Sequence, residues 1–221
     1  LYEVYLNTPA FMVNLRTPYC EITNIGKGLV FSIERYDRKH TDDGVIRMHQ
    51  EDLCQAQGYP AARKYEKDGG PVFAECIKLI KTKCNHRPSI IDVQELLNWQ
   101  IFNVICGNND GHAKNISLLQ DDHGEWGLAP SYDLVSTQAL QIYNPDLAMA
   151  IGECFMPGDI GANDWRTLAS ACNIGTRKVL KDVDNMLDCI ESVYLSKALK
   201  QELIVRGFST KQLARLEQVE H

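Results

Sequence analysis

Positions 107 to 115 read Gly107-Asn108-Asn109-Asp110-Gly111-His112-Ala113-Lys114-Asn115, and a second polar group, Pro130-Ser131-Tyr132-Asp133-Leu134, follows after an apolar stretch with a turn in it. Transfer of a phosphoryl group needs one carboxylate beside the attacking hydroxyl, and a carboxylate with an amide oxygen on magnesium. Positioning and charge neutralisation supply most of its rate. Asp110 and Asn115 stand at the interval that separates the catalytic aspartate from the metal-binding asparagine in the general protein-kinase loop. Asp133, returning on the neighbouring hairpin arm, would add the second metal carboxylate. His112 or Lys114 would touch the transferred phosphoryl oxygens and stabilise charge as it shifts. The bland alternative is that a stretch rich in Asn, Asp and Gly is a surface turn; the apolar strand between the two polar points and the return of Asp133 weigh against it.

Rigid elements must hold such a loop. From Ile90 to Cys106 the residues Ile90, Val93, Leu96, Leu97, Ile101, Val104 and Ile105 recur at three and four, which predicts a buried helix stopping at Gly107. Asn115 to Leu119 predicts a strand that Asn115 opens, Asp121-Asp122-His123-Gly124 a hairpin turn, and Trp126 to Ala129 the returning arm. Earlier, Pro9 confines a first helix to the stretch from about Thr8 to before Thr17. Gly28 to Asp37 suits a buried strand running into a charged bend, and Val45 to Met48 a short strand. His49 to Ala56 suits a short helix ending at Gly58. Residues 63 to 71, with Tyr65 among alternating charges, read as a loop that with Tyr59 would form either an ordinary solvated surface, the stronger reading, or part of a protein-substrate surface. Phe73 to Ile80 is helical, 130 to 163 irregular, and the remainder four helices over 165–171, 176–195, 196–205 and 209–219.

Composition narrows the classes. The chain has 221 residues, 44% apolar and 24% charged, with 23 Lys and Arg against 29 Asp and Glu and a net charge of -6. Disorder fits poorly, and the acidic balance argues against a broad nucleic-acid surface. Eight cysteines without a Cys-x-x-Cys pair read as reduced core thiols. No apolar run approaches a membrane span, so the expected location is the cytoplasm.

The string Asn109 to Asn115 closely resembles the catalytic loop of HipA-like serine/threonine kinases, and Leu128 to Leu134 resembles the segment holding their magnesium aspartate. Phe31-Ser32-Ile33-Glu34-Arg35-Tyr36-Asp37-Arg38 is similar to the family's hinge, although it would equally suit a strand end with surface ion pairs. The resemblance implies ATP and Mg as cofactors. Asp110 would be the base, Asn115 and Asp133 the metal ligands, and His112 and Lys114 helpers at the phosphates. Glu34 and Tyr36 would carry backbone contacts to adenine, with Asp37 reaching ribose. It further implies an α+β, protein-kinase-like fold: mainly the helical C-lobe with hinge and catalytic hairpin, the N-lobe largely missing. Residues 1–38 would be a remnant of N-lobe and hinge and 39–221 the C-lobe. The implied function is that of a toxin that phosphorylates a protein, an aminoacyl-tRNA synthetase among the candidates, and is neutralised by a helix-turn-helix antitoxin, through which alone it would meet nucleic acid. This sequence departs from the family pattern in one respect, since neither a Gly-rich phosphate loop nor a Val-Ala-Ile-Lys-like strand precedes Phe31. Two other readings stay open: an impaired kinase-like binding module or one part of a split kinase, and a kinase of a small hydroxylated molecule or lipid.

Overall fold

The computed structural model describes residues 2–140 and 144–217. Its first part is helix α1 (Tyr2–Met12) followed by two antiparallel hairpins, β1 (Cys20–Ile25) with β2 (Gly28–Ile33) and β3 (Arg38–Thr41) with β4 (Gly44–Arg47). Next come β5 (Gln50–Asp52), the short helix α2 (Leu53–Ala56), and the longer helices α3 (Phe73–Lys83) and α4 (Ser89–Ile105). A third hairpin, β6 (Ser117–Gln120) and β7 (Trp126–Leu128), joins β5 in an antiparallel sheet of order β5-β6-β7. A short α5 (Thr137–Leu140) precedes α6 (Ala162–Ala171), α7 (Thr176–Tyr194), α8 (Lys197–Val205) and α9 (Thr210–Glu217). The expected end of the last helix, 218–219, lies outside the described residues.

Helix α4 is the element the site hangs from. Its periodic apolar residues Val93, Leu96, Leu97, Ile101 and Phe102 are all buried, and it packs against α3 and α7. Each such side chain contributes about 1.5–3 kcal/mol on burial. This fixes where the helix ends, and therefore where the loop after it begins. Ile90, in the first turn, is 63% exposed and lies beyond the packed stretch. All eight cysteines are free, and among the described residues no helix is long and apolar enough to cross a membrane.

Local expectation and structure part in several places, among them that β2 stops at Ile33, that Arg38–Thr41 is a strand, that Thr137–Leu140 is a helix and that Asp133 lies after β7 rather than on the hairpin arm. Four others show their cause. Helix α1 begins at Tyr2 and carries Pro9 inside it; burial of Val4, Leu6 and Ala10 outweighs the missing N–H, and Thr8 Oγ1 donates to the Val4 carbonyl at 2.7 Å. Strand β2 is exposed over all but Ile33, because its Leu, Val and Phe favour extended backbone without supplying a layer to cover it. Residues 50–52 are a strand rather than the start of a helix, since β6 offers them a pairing partner (Glu51 opposite Leu118). The helix begins only after Asp52. There Asp52 Oδ1 accepts from Gln55 N at 2.8 Å and Gln55 Oε1 accepts from Asp52 N at 3.0 Å. Finally, Asn115 does not open β6 but ends a 3-10 turn, Ala113–Asn115, with the strand starting at Ser117. That turn swings the Asn115 side chain toward Asp133 before the sheet begins.

Candidate active site

Each residue flanking Asp110 is pinned. Gly107 terminates α4 at φ +68°, a region favouring glycine, and a Cβ there would lie 2.9 Å from Gln138 Oε1. Asn108 turns back on the helix, its N–H donating to the Asn103 carbonyl and its Nδ2 to Asn103 Oδ1 at 3.0 Å. Asn109 is tied on both sides, its N–H to Thr137 Oγ1 at 2.9 Å and its Nδ2 to the Pro145 carbonyl at 2.8 Å. A Cβ on Gly111 would meet Asn103 Nδ2 at 2.8 Å and the Trp99 ring at 3.3 Å, so the chain passes close over α4 and a larger residue there would displace the Asn103 amide. The Asp110 side chain, held by these neighbours, is 30% exposed.

The motif residues converge. Asn115 Nδ2 donates to Asp133 Oδ2 at 2.9 Å and stands 3.4 Å from the main-chain oxygen of Asp110. Asp133 has φ +57°, a conformation that costs energy for a residue with a Cβ and that gathers at functional sites. The two side chains carry a carboxylate and an amide oxygen, the hard oxygen donors magnesium takes, so the chemistry of the pair fits that ion.

His112 is 5% exposed, and its Nε2 stands 3.9 Å from Asp110 Oδ2, too far for a hydrogen bond. Burial pushes its pKa below the ordinary histidine value. Lys64 Nζ approaches that same Nε2 at 2.8 Å, which requires the neutral ring to accept there and to carry its proton on Nδ1. Burial opposes the charge of Lys64, yet the Tyr65 hydroxyl and the carboxylates of Asp110 and Asp133 hold its pKa above the usual lysine value. Tyr65 donates from its hydroxyl to Asp110 Oδ1 at 2.7 Å. Lys64 was not legible as part of the site, and Tyr65 only as one residue of a substrate-facing loop, because a stretch rich in alternating charge gives no sign of what it lies against.

Lys114 faces elsewhere. It lines a cavity of about 470 Å³ together with Arg35, Asp37, Arg47, Asp52 and Tyr132. Tyr132 braces that wall. Its hydroxyl donates to the Lys114 carbonyl at 2.9 Å, lies 2.6 Å from Ser117 Oγ, and its ring stacks on Tyr36 with centroids 6.1 Å apart. Burial pushes the Tyr36 phenol up to about 12 and the Tyr132 phenol higher still, so both remain protonated. Asp37 is 6% exposed and is gripped by Arg35 through two bonds of 2.7 Å and by Arg38, with the hydrogen bond from Arg35 leading the fall of its pKa below the ordinary value. Of the residues expected at a hinge, Asp37 lines the cavity, while Tyr36 is not part of its wall and meets it only through its stack on Tyr132. Glu34 is exposed, is not part of the wall, and has given its N–H to the Tyr19 carbonyl at 2.8 Å.

A helical body carrying a polar loop, a hairpin and a paired carboxylate and amide beside a basic cavity defines a kinase-like α+β fold. The pattern of the HipA-like C-terminal domain matches residues 2–194, and the chain belongs to that family. It is 43% identical over 157 residues to a putative kinase, Y4mE, of Sinorhizobium fredii, which covers 71% of this chain and 37% of that protein. It is 31% identical over 165 residues to the serine/threonine-protein kinase toxin HipA of Shewanella oneidensis, covering 69% and 37%. The chain therefore spans little more than a third of these relatives. Among solved structures, the HipA, HipB and operator DNA complex of Shewanella oneidensis superposes with a TM-score of 0.85 at 24% identity, over 99% of this chain and 52% of that one. The Helicobacter pylori proinflammatory kinase CtkA superposes more loosely, with a TM-score of 0.55 at 13% identity, over 91% of this chain and 78% of that one.

Proposed function

We propose that this chain is the catalytic part of an ATP-dependent serine/threonine protein kinase of the toxin type, which moves the terminal phosphate of ATP to a protein hydroxyl. The observation that supports it most is the 2.9 Å contact of Asn115 with Asp133, beside the backbone of Asp110, which gathers the three motif residues at one point. In this reading Asn115 and Asp133 hold magnesium, which when bound would neutralise phosphate charge. The basic cavity lined by Lys114, Arg35 and Arg47 takes the nucleotide, with Asp37 and the Tyr36 segment toward its base and ribose and the carbonyl of Glu34 as that residue's remaining backbone contact. Asp110 accepts the proton of the acceptor hydroxyl as its oxygen bonds to the terminal phosphorus and the bond to ADP breaks. General bases so placed contribute about 10²–10⁴-fold. His112, neutral and buried, helps shape the phosphate side.

The rest of the reading follows from the relatives. The toxin HipA is solved in complex with HipB, which supports a helix-turn-helix antitoxin as partner here, a cytoplasmic setting, and contact with DNA only through that partner. The acceptor is a protein, an aminoacyl-tRNA synthetase being the first to try. We keep the division into a hinge and lobe remnant over residues 1–38 and a helical lobe over 39–221 as part of the proposal.

The test is incubation of the chain, and of the full-length gene product, with labelled ATP, magnesium and cell extract. Label on protein that disappears in Asp110→Asn and Asp133→Asn supports the kinase. Partner capture without magnesium and without label in either form would establish a binding module instead.

A further inference from the structure

Residues 64–70 lie outside the motif that gathers Asp110, Asn115 and Asp133, yet they run across it as a strap. Tyr65 donates to Asp110 Oδ1 at 2.7 Å, while Oδ2, 3.9 Å from His112 Nε2, makes no hydrogen bond of normal length to it. The Tyr65 ring is itself fixed. It stands edge-on to His112 with centroids 5.5 Å apart, and Lys64 Nζ lies 4.7 Å from its centroid. The main chain beneath it is clamped as well. The N–H groups of Asp68 and Gly70 both donate to the Tyr65 carbonyl, Glu66 N–H donates to the Ala148 carbonyl, and Glu66 Oε2 accepts from Ala150 N at 2.8 Å. A Cβ on Gly70 would lie 2.7 Å from the Tyr65 carbonyl, so the strap closes this tightly only around glycine.

Tyr65 and Asp110 also share a second cavity, of about 300 Å³, with Asn109, Lys67, Asp68 and Asp146 on its walls. No residue of this wall belongs to the larger cavity lined by Lys114, so a molecule can reach Asp110 without crossing the nucleotide space.

We propose that Tyr65 is the positioning residue of the transfer site: its phenol fixes one oxygen of Asp110, so that the other is presented to the acceptor hydroxyl entering by the second cavity. This rests on Asp110 being the base. A half-exposed carboxylate without the phenol would rotate between orientations, only some of which aim a lone pair at the acceptor. Burial raises the Tyr65 pKa, and the bond to Asp110 adds to this, so the phenol keeps the proton it donates.

Tyr65→Phe in the full-length protein tests this, because it removes the hydroxyl and leaves the ring against His112. The expected result is a 10- to 100-fold lower rate of label transfer from ATP to extract protein. Binding of a fluorescent ATP analogue with magnesium should stay within about twofold and the melting temperature should not change. Tyr65→Ala should fall no more than a few-fold further in rate. An unchanged rate in Tyr65→Phe, or a rate lost together with nucleotide binding or folding, overturns the proposal. A second readout needs no turnover: modification of Asp110 by a water-soluble carbodiimide, followed by mass spectrometry, should quicken in Tyr65→Phe. If the wild-type protein transfers no label, the kinase reading falls, and an Asp110 equally reactive in both proteins would still sink the positioning role by itself.

Discussion

Asn115 donates its side-chain amide to the carboxylate of Asp133 at 2.9 Å, joining the end of the 3-10 turn Ala113–Asn115 to a residue in the left-handed region after β7. The contact is favourable only while one partner is a neutral donor. Asn115→Asp sets two carboxylates against each other, which should lower the melting temperature in a chelator and restore it as magnesium is added. A melting temperature insensitive to magnesium would argue against an ion between these side chains.

Asp133→Asn keeps the size of the side chain and removes its charge. Loss of a group that stabilises charge in phosphoryl transfer costs on the order of 10²–10³-fold. The expected outcome is a drop of that order in label transfer, with far-ultraviolet circular dichroism unchanged.

Gly70→Ala must push a Cβ to 2.5 Å from the Arg63 carbonyl and 2.7 Å from that of Tyr65. The strap has to open, and the expected cost is about 1–3 kcal/mol in urea unfolding. Because Tyr65 moves with it, transfer activity should fall even at temperatures where the variant remains folded.

Acid should weaken the Asp37 clamp. The hydrogen bond from Arg35, and the charges of Arg35 and Arg38, hold the folded pKa of Asp37 below its unfolded value, so the unfolded chain binds its proton first as pH drops. The stability it contributes is present above the unfolded value of about 3.9 and is lost as pH falls through the lower folded value. Asp37→Asn should therefore flatten the acid limb of the unfolding free energy, measured from pH 5 to 2.5.

The thiols should sort by burial. Cys76, Cys84 and Cys106 are each pushed up to about 12 by burial, while Cys189 is exposed. Iodoacetamide at pH 8 should label Cys189 first and leave those three unmodified until denaturant is added, as read by mass spectrometry.

The grouping of Asp110, Asn115 and Asp133 was legible in one dimension because the three lie close along the chain. Asp110, Asn115 and Asp133 occupy a loop, the turn that follows and, rather than the expected hairpin arm, the irregular segment just after β7, so spacing and residue type were enough to group them, and the apolar period of α4 was enough to say that something rigid precedes them. Tertiary structure decided what depended on distant partners. Pro9 sits inside α1 because burial of Val4, Leu6 and Ala10 overrides local cost, and Gln50 to Asp52 extend because β6 lies beside them. Lys64 and Tyr65 reach His112 and Asp110 across more than forty residues, through a strap whose own composition reads as solvent. Side-chain type and local period are properties of neighbours in sequence, whereas which oxygen of Asp110 is held and which is left open is set by a contact that exists only once the chain has closed on itself.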